Sequence, residues 1–281
     1  MVGRYPIIKM PRGGIIAFGN MGKAIAGGAR TLFEISVFDK DKAKLADCQG
    51  LKAQRQAVDL INNSECIILA VKPQDIESVL KEIKANYQEQ LIISIAAGIT
   101  TKYIMRQLGE IGRVIRIMPN MPAQIGQGVS FLYKPENATE KDLNLAWQLF
   151  SSVGFVMVVS DEKMMNAATA VSGSGPAFFC YYIKKKDNAH LKRIEFIQML
   201  AQAAVGLGFD QQEAKVIAEK TVDGTIAILE KNNLTTEKLI KMVASKGGTT
   251  EAGLEVLEKG GSVEEAVKAA LLRAEEIGKR S

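Results

Sequence analysis

Three stretches of the chain carry residue types and spacings that can do chemistry. The first is Ala17-Phe18-Gly19-Asn20-Met21-Gly22, which follows an apolar run and leads into Lys23-Ala24-Ile25-Ala26-Gly27. It has G-x-G-x-x-G spacing with alanine in the first glycine slot. Gly19 lets the backbone approach a pyrophosphate, and Gly22 lets a helix lie close on a strand. A helix beginning at Asn20 offers free N–H groups to an anion. Ala17 carries a cost only where that slot needs positive φ. A tight strand-helix turn with no ligand would use the same glycines. Asp39 stands 20 residues after Gly19, where an acid meets a ribose 2′-hydroxyl and favours NAD. Lys40 and Lys42 suit a 2′-phosphate and favour NADP. The two signals oppose each other, and NADPH and NADH both remain open.

The second stretch is Ala70-Val71-Lys72-Pro73, where Lys72 follows a buried apolar run at its carboxyl end. Ligands of open α/β sheets bind there, although a solvated lysine before a proline reads the same. The third is Gly247-Gly248-Thr249-Thr250, which precedes a helical stretch. Its backbone N–H groups suit a carboxylate, and the Thr250 hydroxyl can donate or accept; a capped helix start has the same pattern. What is missing narrows the chemistry further. His190 is the single histidine, in the charged stretch Lys184-Lys185-Lys186-Asp187-Asn188-Ala189-His190 that reads as solvated. Cys48, Cys66 and Cys180 are odd in number and far apart, which argues against a disulfide framework or a zinc site. No metal site is expected, so the chemistry rests on a cofactor or on backbone dipoles.

These residues need elements to position them. Continuous apolar runs at 14–18, 35–38, 66–71, 91–95, 114–117 and 155–159 predict strands buried on both faces, hence a parallel sheet. Helical stretches between them predict a doubly wound α/β fold. After Asp161 the rhythm of Val216, Ile217, Val222, Ile226 and Leu229 is helical, and the second domain is expected to be all-α. The domains are placed at 13–160 and 161–281. The chain has 281 residues, 47% hydrophobic and 24% charged, which excludes a disordered or collagen-like protein. No apolar run reaches the roughly 18 residues of a membrane span, and the N-terminus lacks a secretory pattern. Lys and Arg number 19 against 14 Asp and Glu in residues 1–160, and 17 against 17 in 161–281. That modest excess suits a small anionic ligand and is too dispersed for nucleic acid. The expectation is a cytoplasmic protein without nucleic-acid or membrane partners.

From about Gly14 to its end the chain resembles pyrroline-5-carboxylate reductase, the last enzyme of proline synthesis. Six motifs in order carry the resemblance: Gly19-Asn20-Met21-Gly22, Leu69-Ala70-Val71-Lys72-Pro73-Gln74, Ser94-Ile95-Ala96-Ala97-Gly98-Ile99-Thr100, Met118-Pro119-Asn120, Ser172-Gly173-Ser174-Gly175-Pro176-Ala177 and Gly247-Gly248-Thr249-Thr250-Glu251-Ala252-Gly253-Leu254. The resemblance implies a Rossmann-like dinucleotide domain followed by an all-helical dimerisation domain, working as a homodimer or larger ring. It implies NADPH or NADH as cofactor and 1-pyrroline-5-carboxylate as substrate. Gly19, Asn20, Met21, Gly22, Asp39, Lys40, Ala70, Val71, Lys72, Pro73, Ala97, Gly98 and Asn120 then belong to the cofactor side. Ser245, Gly247, Gly248, Thr249 and Thr250 line the substrate pocket, joined by Ser172 and Ser174, which fit a helix-packing knuckle equally well. Thr250 becomes the polar partner of the imine nitrogen, and Lys72 supplies electrostatic support.

The implied reaction makes chemical sense for these residues. Reducing a cyclic imine needs a hydride donor, a grip on a carboxylate and a proton near the ring nitrogen, with no histidine or metal. The chain departs from the family at Met121, where threonine is usual, and at Lys246, where proline is usual. From Ile183 to Glu195 it carries what reads as an insertion of about 13 residues, either a solvated excursion or a longer helix. Met1 to Arg12 form an extension. A related imine or hydroxyacid reductase, and a non-catalytic nucleotide sensor, are the competing readings.

Overall fold

The apolar runs pair into one sheet. In a computed structural model that describes residues 10–48, 50–110, 112–184 and 189–279, the strands are β1 (Arg12–Ile16), β2 (Glu34–Phe38), β3 (Lys52–Ala53), β4 (Cys66–Leu69), β5 (Leu91–Ser94), β6 (Arg113–Pro119), β7 (Gly128–Tyr133) and β8 (Gly154–Val159). Their order is β3-β2-β1-β4-β5-β6-β7-β8. Side chains alternate across the sheet as strand geometry requires. Ile15, Ile68, Ile93 and Ile115 enter one core with Ile25 and Phe150, whereas Ile16, Ile67, Ile92 and Val114 enter the other with Leu60, Leu80 and Ile104. Burial on both faces explains why these strands read as unbroken apolar runs. Each fully buried Ile, Leu or Phe contributes about 1.5–3 kcal/mol of transfer free energy.

Two strands were absent from the expectation, and the sheet is mixed rather than wholly parallel. β3 is only two residues long and exposed. β7 runs antiparallel to β6, with Ile117 opposite Leu132, and β8 then follows β7 in parallel. The chain reverses through a short 3₁₀ turn at Met121–Ile125 that ends on left-handed Gly126, and a connection this short permits only an antiparallel return.

Between the strands lie α1 (Asn20–Ala29), α2 (Ala57–Asn62), α3 (Ile76–Lys84), α4 (Thr101–Leu108) and α5 (Glu140–Ser151). After β8 every described element is helical: α6 (Met164–Ala168), α7 (Gly175–Lys184), α8 (Ala189–Gly206), α9 (Gln211–Lys231), α10 (Thr236–Val243), α11 (Thr249–Glu258) and α12 (Val263–Gly278), with a π-helical turn at Thr169–Gly173 joining α6 to α7. Capping boxes at Thr139/Asp142, Asp210/Glu213 and Ser262/Glu265 start α5, α9 and α12, each satisfying donors that a helix end leaves unpaired. Phe178, Phe179, Phe196, Leu200, Ile217 and Val267 form the helical core, which also takes in Val129 and Phe131 of β7 and Val159 of β8. The helices are therefore welded to the last strands of the sheet. The stretch read as an insertion falls at the junction of α7 and α8. Residues 185–188 and the side chain of His190 lie outside the described residues, as do residues 1–9 of the N-terminal extension. Among the described residues no helix is long and apolar enough to cross a membrane.

Candidate active site

The loop after β1 sets the first half of the site. Ala17 adopts φ 78°, so the first slot does need positive φ, and an alanine there costs about 1–2 kcal/mol relative to an unstrained backbone. Its N–H still reaches the Phe38 carbonyl at 2.8 Å, tying β1 to β2. Gly22 is required by the fold, since a Cβ there would collide with the Ala17 carbonyl oxygen. Gly19 is different. A Cβ on it would meet no protein atom within 4 Å, so the space beside it is left open. Gly19 also caps α1 without any side-chain hydrogen bond, which leaves the first-turn N–H groups of the helix unpaired by side chains.

That open space belongs to a cavity of about 520 Å³ at the carboxyl edge of β1, β2 and β4. Gly19, Asn20, Met21, Asp39, Lys40, Ala70, Val71 and Lys72 all line it, as expected. Gly22 lies behind it as a packing residue, and Pro73 begins a 3₁₀ turn for which Lys72 is the N-cap. An apolar-walled cleft, a helix N-terminus and a glycine with free space beside it fit a dinucleotide.

Asp39, expected to meet a ribose, has a structural role in the loop. It is 5% exposed, and its carboxylate accepts the Phe18 N–H at 2.8 Å and the Asp41 N–H at 2.9 Å. It therefore braces the loop after β1 against the end of β2. Lys44 approaches it at 3.4 Å and also lines the cavity. Sequence reading stopped at Lys42 and missed Lys44, although a lysine at every second position from 40 to 44 was a visible signal. Lys42 turns away, donating to the Arg55 carbonyl at 2.9 Å.

The second half of the site is built from hydroxyls. α11 begins with Thr249 and Thr250 after N-cap Gly248. Gly247 takes φ 68°, a conformation that favours glycine. This turn is held from both sides: Gly247 N–H donates to Glu251 Oε2 at 2.6 Å, and Arg273 Nε donates to the Gly247 carbonyl at 2.7 Å. Ser245 is exposed, and its carbonyl accepts Gly248 N–H at 2.9 Å. Thr250 is buried; its hydroxyl donates to Ser174 Oγ at 3.0 Å, and Ser174 Oγ lies 3.2 Å from Thr249 Oγ1. The π-helical turn puts Ser172 into a neighbouring cluster, where its Oγ accepts from Asn120 Nδ2 at 3.1 Å and Thr221 Oγ1 at 3.3 Å. Asn120 Oδ1 accepts Val129 N–H at 2.8 Å. Its amide thus joins β6 and β7 to the helices, a contact across 52 residues of sequence that no motif revealed.

Ala97 and Gly98 lie in the loop after β5. Ala97 is exposed, and Gly98, at φ 76°, backs onto Ile277 of α12, whose Cγ2 would be 2.7 Å from a Cβ there. None of Ala97, Gly98, Asn120 or the hydroxyl cluster lines the cavity beside Gly19. The structure thus brings one set of the predicted residues together around the cavity and joins Ser174, Thr249 and Thr250 in a hydroxyl cluster outside it, with Asn120 and Ser172 bonded to each other. Burial pushes the Cys66 and Cys180 thiols up to about 12 and keeps them protonated.

Known proteins match both halves of the chain. A family model described as NADP oxidoreductase, coenzyme F420-dependent, matches residues 12–98, and one described as pyrroline-5-carboxylate reductase dimerisation matches residues 194–278. Pyrroline-5-carboxylate reductase of Methanosarcina acetivorans is 34% identical over 279 residues, spanning 95% of this chain and 98% of its own. The solved structure of a pyrroline-5-carboxylate reductase from Coxiella burnetii is 30% identical with a TM-score of 0.64, covering 96% of this chain and 99% of that one. That of Plasmodium falciparum pyrroline carboxylate reductase with NADP bound is 27% identical with a TM-score of 0.63, covering 96% and 100%. With both halves of the molecule matched and one-third identity kept end to end, the chain belongs to the pyrroline-5-carboxylate reductase family.

Proposed function

We propose that this protein reduces 1-pyrroline-5-carboxylate to L-proline with NADPH or NADH. The observation that carries the reading is the hydroxyl-lined start of α11, set in a chain whose first strand-helix loop borders a cavity at the carboxyl edge of the sheet. The cofactor, when bound, supplies a hydride to the ring carbon of the C=N bond, and the ring nitrogen ends with a proton from solvent. Gly19, Asn20 and Met21 hold the diphosphate at the N-terminus of α1. Lys40 and Lys44 flank the adenosine end. They favour the NADP form, the form present in the Plasmodium falciparum relative.

On the substrate side, the first-turn N–H groups of Thr249, Thr250 and Glu251 have no partner within α11 and suit the substrate carboxylate. Because the Thr250 hydroxyl gives its proton to Ser174, its oxygen is left to accept. That suits the N–H of a protonated imine, the form most open to hydride attack. Lys72, exposed at the mouth of the cavity, adds a positive potential for the anionic ligands. Ser172 and Asn120 keep the sheet and helices in place around these groups.

Residues 13–160 form the dinucleotide domain and 161–281 the helical domain of this reading. The helical domain pairs two chains into a homodimer or a ring of dimers, as the description of the family model matching 194–278 supports. The free thiols at Cys48, Cys66 and Cys180 fit a reducing cytoplasm. Oxidation of NADPH or NADH on adding 1-pyrroline-5-carboxylate, with proline identified as product, tests the reaction. Cofactor binding with no turnover of the imine would refute it.

A further inference from the structure

Arg116 lies within β6, and its side chain is 6% exposed. Burial pushes the guanidinium pKa down, and Glu162 opposes that shift. A charge in such a place destabilises a fold unless an opposite charge meets it. The partner is Glu162, in the segment between β8 and α6, with Oε1 3.2 Å from Arg116 Nη1. The same carboxylate reaches a third element. Oε1 accepts the Thr101 backbone N–H at 2.8 Å, and Oε2 accepts the Thr101 hydroxyl at 2.9 Å. Thr101 is the first residue of α4 and is 2% exposed. The anion therefore also sits at a helix N-terminus, where it is favoured.

What precedes Thr101 gives this knot its meaning. Residues 95–100 leave the carboxyl end of β5, directly beside β4, whose following residues Ala70, Val71 and Lys72 line the dinucleotide cavity. The back of this loop rests on Ile277 of α12 at Gly98. The loop is thus a wedge between the ligand edge of the sheet and the helical half, and Glu162 fixes its trailing end. We propose that Glu162 is a positioning residue: its carboxylate locks the loop after β5 and Arg116 of β6 to the helical half, and so sets where the reducing end of the bound dinucleotide meets the substrate. This rests on the reaction proposed above.

Glu162→Ala and Thr101→Val test it in the full chain by three measurements. These are amide exchange at Thr101 without cofactor, the NADPH dissociation constant, and kcat with 1-pyrroline-5-carboxylate. In Glu162→Ala, Thr101 exchange should rise roughly tenfold or more as its acceptor is lost. The kcat should fall roughly 10- to 100-fold, the cost of displacing reacting groups by about 1 Å. NADPH affinity should stay within about threefold, because its phosphates are gripped elsewhere, at the N-terminus of α1. Thr101→Val keeps the shape and the backbone bond and loses one hydrogen bond. It should show the same pattern at smaller amplitude, and it decides the matter if Glu162→Ala does not fold. Unchanged kcat in either folded variant, or unchanged amide exchange at Thr101 in folded Glu162→Ala, would overturn the proposal. So would NADPH affinity falling by the same factor as kcat, the mark of general damage. If the wild-type chain does not reduce the imine while Thr101 exchange still responds, the reaction is misassigned and the Glu162 lock stands.

Discussion

The two halves of the site are built from opposite materials. Around Gly19 the chain works by omission: a missing side chain leaves space, and a helix start left without a side-chain cap offers its N–H groups to that space. Around Thr250 it works by addition, with three hydroxyls from two distant segments bonded to one another. The first half is a cavity completed within one chain. The second is a surface at the start of α11 that lies outside that cavity. Omission is tolerant of surroundings, because empty space needs no partner. Addition is not, because each hydroxyl has a direction set by its neighbour. Mutations should therefore act on binding in one half and on rate in the other.

The largest effect is expected at Gly19. Gly19→Val should fold normally, since the space beside Gly19 holds no protein atom within 4 Å. The side chain would instead occupy ligand space, and NADPH affinity should fall at least about 100-fold, or about 2.7 kcal/mol. Fluorescence titration alongside a thermal melt checks both claims. Gly22→Ala sharpens the contrast: its Cβ collides with the Ala17 carbonyl, so stability should fall together with affinity. A Gly19→Val protein that binds NADPH normally would break the comparison at its stronger end.

In the other half, Thr250→Ala should lower kcat about two- to tenfold, the worth of one hydrogen bond of about 0.5–1.5 kcal/mol. NADPH affinity should be unchanged, because an interaction made with the reacting ring acts on rate. Thr250→Ser should recover most of the loss by restoring the bond to Ser174. Steady-state kinetics separates the two. If Thr250→Ala weakens cofactor binding as much as turnover, the halves are not independent.

Legibility in the sequence follows the same division. Gly19 and Gly22 were readable because backbone space is a local requirement, expressed in a fixed spacing. The apolar strands were readable because burial on two faces leaves no room for polar residues. Thr249 and Thr250 stood out by their own chemistry, but their link to Ser174 was reached only through resemblance. Its bonds span 75 and 76 residues, and serine or threonine at a helix start has an equally good local explanation as a cap. Asn120 shows the difficulty. Its motif suggested a cofactor contact, whereas its amide is committed to Val129 and Ser172. β7 was missed because it follows the turn at Met121–Ile125, whose Pro122 and closing Gly126 read as a loop. Glu162 had no signal at all, since its partners Thr101 and Arg116 meet it only after the sheet has formed.

A smaller effect is expected at the rim of the cavity. Lys40 lines it and is exposed, so its contribution is screened by water. Lys40→Ala should weaken NADPH about two- to fivefold, in keeping with exposed charge pairs of about 0.2–1 kcal/mol, and leave NADH nearly unchanged. Parallel titrations with the two cofactors measure the difference. Equal weakening of both would mean that Lys40 does not meet the 2′-phosphate, and selectivity would then have to come from Lys44.

The smallest effect is expected at Ala17, and its sign is the informative part. Ala17 holds φ 78°, and relieving it with glycine should return about 1–2 kcal/mol. Glycine also loosens the unfolded chain, which costs about 0.4–1 kcal/mol. The two terms leave Ala17→Gly between neutral and about 1.5 kcal/mol more stable, or up to roughly 3 °C in melting temperature for a protein of this size. The neighbouring geometry should not change, because the hydrogen bond from Ala17 N–H to Phe38 is made by the backbone. Cofactor affinity should accordingly stay within experimental error. A lower melting temperature would show that the Ala17 methyl makes contacts worth more than the strain. An affinity rise with no stability gain would instead place the cost of alanine in the bound state, bringing the first glycine slot into the half of the site that works by omission.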